Sequence, residues 1–267
     1  MAEDLCTYDV TDGIATLTFN RPDSMNGMTG NMEVAYFQRL LQAQADDAVR
    51  VIVVTGAGRA FCPGADLAHR AGPDDHSLPN ADIARTTPLD IPKPMIAAIN
   101  GACAGVGMAY ALQCDLRFAT KKAKFTTAFS RRGLIGEYGM ARLLNSIAGR
   151  QVAMDLLLSA RVVQGDEAAE LGIISGAFEA DDLMTHVMAY ASDLAANVSP
   201  ASMATIKHQI NSEADMTARA ATEHAEALMR ESLAGSDVGE GIASFLEKRQ
   251  VSFPPLGDGT SFGWMNS

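Results

Sequence analysis

Met95-Ile96-Ala97-Ala98-Ile99-Asn100-Gly101-Ala102-Cys103-Ala104-Gly105-Val106-Gly107 is an apolar run of strand length that passes into turns of small residues. The arrangement occurs earlier as well. Val51-Ile52-Val53-Val54 leads through Gly56 and Gly58 to Phe61-Cys62-Pro63-Gly64-Ala65-Asp66-Leu67. A continuous β-branched run reads as a strand covered on both faces, as in parallel sheets. A third unit follows in Leu116–Ala119 and Lys124–Thr126. Strand–turn–helix units therefore recur, and the fold class is α/β. Each glycine-rich turn aims main-chain N–H groups beyond a strand end. Two such turns converging on one oxygen form an oxyanion hole, which stabilises a thioester enolate.

Outward from this centre, Ala15–Phe19 alternates as a half-buried strand does and ends at the turn signal Asn20-Arg21-Pro22-Asp23. Residues 29–45 read as a helix whose apolar stripe is Met32, Ala35, Phe37, Leu40 and Leu41. Residues 71–94 hold five prolines and several Asp and Asn, which reads as a long loop or lid, or as disorder. From Asp181 the pattern is helical, with breaks near Ser199-Pro200 and Gly235, and the tail after Pro254 reads as irregular. The chain divides into an α/β core, residues 1–200, and a helical C-terminal segment, residues 201–267.

Charge and composition exclude several classes. A net charge of −11 lacks the basic face of a broad nucleic-acid footprint. It leaves room for a small anion held by a few cations and N–H groups. The apolar runs are far shorter than the roughly 20 residues of a membrane-spanning helix. The first residues, Met1-Ala2-Glu3-Asp4, form no signal peptide, so the expectation is a soluble cytoplasmic protein. Cys6, Cys62, Cys103 and Cys114 form no CxxC pair and read as small core residues. His69, His76, His186, His208 and His224 offer no ligand spacing, so no metal site is expected.

Three motif matches fail. Gly105-Val106-Gly107 has Tyr110 where a dinucleotide fingerprint needs its third glycine. Gly259-Thr260-Ser261-Phe262-Gly263 spells GxSxG, but with no strand before it and no helix after it. Asn197-Val198-Ser199 is a formal glycosylation acceptor in a chain without a secretion signal.

Five segments in order carry a resemblance. They are Phe19-Asn20-Arg21-Pro22 with Met25-Asn26-Gly27, then Val51–Leu67, Ile96–Asp115, Phe129–Arg142 and Phe245-Leu246-Glu247-Lys248-Arg249. Together they resemble the enoyl-CoA hydratase/isomerase (crotonase) family. The resemblance implies a spiral of ββα units with a helical C-terminal segment, assembled as a homotrimer or dimer of trimers. It implies an acyl-CoA substrate, with coenzyme A as part of the thioester and no permanently bound cofactor. It assigns the oxyanion donors to the N–H groups of Ala65 and Val106, together with the dipole of the helix that Val106 opens. Loss of one such donor typically costs about 2.7–4 kcal/mol of barrier. Ser24, Met25, Gly27, Pro63, Gly64, Asp66, Leu67, Gly105 and Gly107 would line the cofactor path. Asp66 would be structural or contact the cofactor, and would not be the base. Lys248 would approach the phosphates, from a neighbouring subunit in one arrangement, or be an ordinary solvated lysine.

Family hydratases hold a water between two carboxylates. The corresponding positions here are Ala109 and Phe129, neither of which transfers a proton. Glu137, in Gly133-Leu134-Ile135-Gly136-Glu137-Tyr138-Gly139, matches the single acid of members that shift double bonds. It also reads as an ordinary acid at the N-terminus of a helix over 138–146. Ala109, Phe129, Leu134 and Tyr138 would line the acyl pocket, or belong to the core. The leading expectation is an enoyl-CoA isomerase with Glu137 as acid and base. The alternatives are a hydratase, a decarboxylase or C–C cleaving enzyme drawing on a lid residue such as Asp74, Asp75 or His76, and a non-catalytic acyl-CoA binder. RNA binding, known in some relatives, is disfavoured by the acidic balance.

Overall fold

The computed structural model describes residues 5–66 and 84–266. Leu67, His69, Asp74, Asp75, His76 and the start of the proline-rich stretch lie outside the described residues.

Among the described residues, ten strands form two sheets. β1 (Cys6–Thr11) and β2 (Ile14–Phe19) make an antiparallel hairpin. β3 (Val51–Gly56), β5 (Met95–Ile99), β7 (Leu116–Thr120) and β10 (Gly176–Phe178) extend it in parallel, in the order β1-β2-β3-β5-β7-β10. The second sheet has the order β4 (Ala60–Cys62), β6 (Ala102–Ala104), β8 (Lys124–Thr126) and β9 (Val163–Gln164), with β9 antiparallel. The pairs β3–β4, β5–β6 and β7–β8 thus each give their first strand to the large sheet and their second to the small one. Helices follow: α1 (Gly30–Ala45) before β3, α2 (Thr87–Asp90) after β4, α3 (Val106–Gln113) after β6 and α4 (Met140–Ser159) after β8.

The apolar runs sort by strand periodicity. Ile52, Val54, Met95, Ala97 and Ile99 face the core built on α1 and α3. Val51, Val53, Ile96 and Ala98 face the other side, where Leu183, Val187, Ala191 and Ala195 of α6 (Ala180–Asn197) cover them. Those four α6 residues recur every fourth position, so they form one helical stripe. Both sheet faces are covered, which is why β3 and β5 are buried throughout. α1 starts where Thr29 accepts a hydrogen bond from the Met32 N–H, a side-chain N-cap.

Three further helices, α7 (Pro200–Glu213), α8 (Ala218–Ala234) and α9 (Ser236–Glu247), follow α6 after α5 (Gly165–Glu170). The C-terminal helices break at Ser199 and Gly235 as the sequence indicates, and also over 214–217. Lys207 of α7 pairs with Asp115 at 2.9 Å and ties this region to the spiral. The tail after Pro254 has no strand, yet it is not loose. Phe262 is buried against Ala201 and Leu228, and Thr260 donates its N–H and hydroxyl to Asp237. The GxSxG match lies in this packed tail. Among the described residues, no helix is long and apolar enough to cross a membrane.

Two asparagines fix the turn between β3 and β4. Asn26, fully buried, donates to the carbonyls of Ala57 and Ala60 at 2.9 and 2.7 Å and accepts the Arg21 N–H at 2.8 Å. Asn100 donates to the carbonyls of Gly56 and Gly58 at 2.8 and 2.9 Å. Asn26→Ala removes the partner of three backbone groups, one bond buried and two partly buried, and an unpaired group costs about 1–3 kcal/mol when buried and less near solvent. Urea unfolding is therefore expected to show a loss of roughly 2–4 kcal/mol for Asn26→Ala, and a smaller loss for Asn100→Ala, whose bonds lie nearer solvent.

Candidate active site

The first donor is set by a short parallel bridge between Met28 and Ala65. Met28 N–H donates to the Gly64 carbonyl and Asp66 N–H donates to the Met28 carbonyl, both at 2.8 Å. Those two groups face Met28, so by strand alternation the N–H of Ala65 points away from it. The second donor, Val106, is the first residue of α3. Its N–H is one of the groups that a helix start leaves without an internal partner, and it lies at the positive end of the helix dipole.

The two loops touch through glycine. Gly64 has φ +115° and Gly105 φ +49°, and a Cβ on Gly105 would lie 3.7 Å from the Gly64 Cα. A Cβ on Gly64 would lie 3.3 Å from the Ala104 carbonyl oxygen. A side chain at either position would be strained by the positive φ, and one at Gly64 would also crowd the Ala104 carbonyl. Gly107 lets α3 approach β4, since a Cβ there would fall 2.2 Å from the Cys62 carbonyl oxygen. Cys62 and Cys103 lie beside these loops, fully buried, and burial pushes the Cys62 thiol up to about 12. A neutral thiol held in this way is packing material, not a nucleophile.

Ala65 and Val106 open onto a cavity of about 90 Å³. Pro63, Gly64, Gly105, Ala128, Phe129, Arg132, Leu134, Glu137 and Tyr138 complete its lining. Nine residues singled out in the sequence therefore meet: Pro63, Gly64, Ala65, Gly105, Val106, Phe129, Leu134, Glu137 and Tyr138. Ala109 does not join them; it is fully buried among core side chains. Gly107 serves α3 packing. Ser24, Met25 and Gly27 form the adjoining loop. There Asp66 pairs with Arg21 at 2.9 Å, and a Cβ on Gly27 would lie 3.3 Å from the Asp66 Cβ. Lys248 is exposed at the left-handed C-cap of α9, away from the cavity lining. Ala128 and Arg132 line the cavity without having been singled out. The Arg131-Arg132 doublet was the available signal, but a charge pair of this kind usually marks a solvated face.

Glu137 precedes α4 and does not belong to it. The helix starts at Met140, not at Tyr138, because Tyr138 and Gly139 have φ 57° and 71°. With the Met140 N–H donating to the Glu137 carbonyl at 3.0 Å, they form a turn of type I′ character. A left-handed tyrosine is strained, and contacts on its ring hold it in place. Its ring meets Tyr110 edge-on at 5.8 Å, and the Arg85 guanidinium carbon sits 5.0 Å from its centroid. Arg85 pairs at 3.3 Å with Glu33, a buried acid that also accepts the Tyr110 hydroxyl. Burial and the Glu33 charge hold the Tyr110 phenol well above its usual range, so it stays a neutral donor. The wall behind Glu137 is therefore fastened to α1 and α3.

An oxygen placed between Ala65 and Val106 would be stabilised as it gained charge, with a carboxylate beside it to move a proton. The chain has the crotonase fold of its structural neighbours. The family profile described as Enoyl-CoA hydratase/isomerase matches residues 9–255, and the chain belongs to that family of acyl-CoA enzymes. It is 34% identical over 254 residues to 1,2-epoxyphenylacetyl-CoA isomerase of Escherichia coli strain K12, covering 91% of this chain and 96% of that one. It is also 34% identical to a probable enoyl-CoA hydratase of Rhodobacter capsulatus over 92% of this chain and 96% of that one. The crystal structure of enoyl-CoA hydratase from Bacillus anthracis superposes with a TM-score of 0.88 at 26% identity, over 94% and 99% of the two chains.

Gly107→Ala is expected to lower stability by about 1–3 kcal/mol through overpacking against Cys62. It should also weaken acyl-CoA binding, because α3 carries the Val106 donor. Thermal unfolding and titration with a saturated acyl-CoA measure the two effects.

Proposed function

We propose that the protein shifts the double bond of an enoyl-CoA through an enolate, with Glu137 as its single acid and base. The thioester carbonyl is held by the N–H groups of Ala65 and Val106. Glu137 removes a proton from C2 of a 3-enoyl thioester, and the electron pair moves onto the carbonyl oxygen. The enolate then collapses as protonated Glu137 returns the proton at C4, leaving the double bond between C2 and C3. Coenzyme A enters as part of the substrate, and the cycle requires no other cofactor. The observation that carries this reading is that Glu137 is the one carboxylate lining the cavity among the described residues. Ala109 and Phe129, at the positions of the two hydratase acids, have no proton to give. The isomerase named in Escherichia coli, at 34% identity, is consistent with it.

A second reading, hydration, draws on the hydratase names among the relatives and requires a second acid from outside the described residues. Ser24, Met25, Gly27 and Asp66 provide the adenine and pantetheine path in either case.

Glu137→Gln is expected to lower isomerisation by roughly 10²–10⁴-fold while acyl-CoA affinity stays close to that of the wild type. Conjugated-thioester absorbance with a 3-enoyl-CoA follows the reaction, and undiminished turnover would rule out Glu137 as the base. Absorbance that falls when a 2-enoyl-CoA is supplied would establish hydration instead.

Assembly as a homotrimer or dimer of trimers is the companion proposal. Ile206 and Ile210 of α7, Leu233 of α8, and Ile242, Phe245 and Leu246 of α9 are exposed, with Phe245 at 81%. Apolar surface on this scale marks an interface. Lys248, adjoining Phe245 and Leu246, would thereby reach a neighbouring subunit's coenzyme A phosphates. Light scattering is expected to give a trimer or hexamer for the wild type and smaller species for the double variant Phe245→Asp, Leu246→Asp. A monomeric wild type would overturn the assembly.

A further inference from the structure

The enolate cycle leaves one charged side chain of the cavity without a task. Arg132 lines the cavity together with Glu137, yet the two do not pair. Among the described residues, the Arg132 side chain donates only to the Ala128 carbonyl, at 3.1 Å. A guanidinium has five N–H donors in a planar fork, so most of its capacity faces outward. Arg132 also lines a second, larger groove of about 420 Å³ that shares Pro63 and Ala128 with the cavity and continues past Val162 and Arg131. Arg131 is already tied to the Ser159 carbonyl at 2.9 Å. Two guanidiniums on one groove are notable in a chain of net charge −11. The groove wall between them and the cavity is otherwise of small or apolar residues.

We propose that Arg132 is a specificity-determining residue and that the preferred substrates are coenzyme A thioesters whose acyl group carries a second carboxylate. This rests on the enolate reading of the cavity. The thioester carbonyl fixes one end of the acyl group between Ala65 and Val106. The loop of Ser24, Gly27 and Asp66 adjoins Ala65, and the groove shares Pro63, Ala128 and Arg132 with the cavity. With coenzyme A along the first, the acyl group extends along the second. Its apolar carbons lie against Pro63 and Val162, and its terminal carboxylate meets the Arg132 fork bidentately. The phosphates of coenzyme A offer the same anionic chemistry, and the test separates the two sources.

Binding is measured first, by calorimetric titration of the wild type and Arg132→Met with two saturated, unreactive ligands of equal chain length. One is an acyl-CoA and the other an ω-carboxyacyl-CoA. The wild type is expected to favour the carboxylated ligand by about 10–100-fold, the worth of a hydrogen bond to a charged group. In Arg132→Met that ratio should fall to near one. A wild-type ratio near one overturns the proposal, as does a preference that survives the substitution. If Arg132→Met weakens both ligands equally, and leaves the corresponding pantetheine thioesters unaffected, Arg132 holds a coenzyme A phosphate and the proposal also fails. These titrations involve no chemistry, so they stand even if Glu137→Gln remains active and the enolate reading is lost. Turnover of the matching 3-enoyl thioesters should show the same ratio in kcat/KM.

Discussion

Gly64 and Gly105 meet backbone to backbone, and the rest of the site depends on that contact. Two N–H groups on separate loops can serve one oxygen only if the loops lie side by side, here in backbone conformations that a side chain would strain. The surrounding structure is organised to keep them there. Asn26 and Asn100 hold the β3–β4 turn, the Met28 bridge fixes the direction of Ala65, and Gly107 seats α3 against Cys62. Arg21 joins this scaffold by pairing with Asp66 while also donating to the Gly27 carbonyl. The pair is largely buried, so its value lies in holding two loops in register more than in net stability.

The wall that carries Glu137 is held differently. Glu137 lies on a turn whose next residue is a left-handed tyrosine. That conformation is unfavourable for Tyr138 alone and persists because Tyr110 and Arg85 confine its ring. The Glu33 carboxylate then matters twice, as acceptor for Tyr110 and as counter-charge for Arg85. Buried charge is costly unless paired and hydrogen-bonded, and here it is both.

Much of this was legible in the sequence, for reasons visible in particular residues. Val51–Val54 and Met95–Ile99 are apolar on both faces, which only a doubly covered strand requires. α3 opens at Val106, where the resemblance placed its start, and runs to Gln113. Thr29 announced α1. The α4 boundary was misread because Tyr138 contradicts its own conformational preference, and contacts distant in sequence impose it. β9 and β10, of two and three residues, are too short to show a period. Arg132 was invisible because the left-handed Ala128 and the 3-10 turn Ser130–Arg132 decide which arginine of the doublet reaches the cavity. Ala109, assigned to the pocket by position, lies on a helix buried on every side.

The spiral also separates two kinds of chemistry along the chain. Its first two turns, ending at Ala65 and Val106, bring main-chain groups to the cavity whatever side chains surround them. The third turn, from Thr126 through Glu137, supplies side chains alone. A main-chain dipole cannot be mutated away without altering the fold, whereas a carboxylate or guanidinium is changed by a single codon. In the proposed cycle such an architecture would keep the enolate fixed and leave its fate exchangeable, so that new reactions could arise from substitutions confined to one short segment.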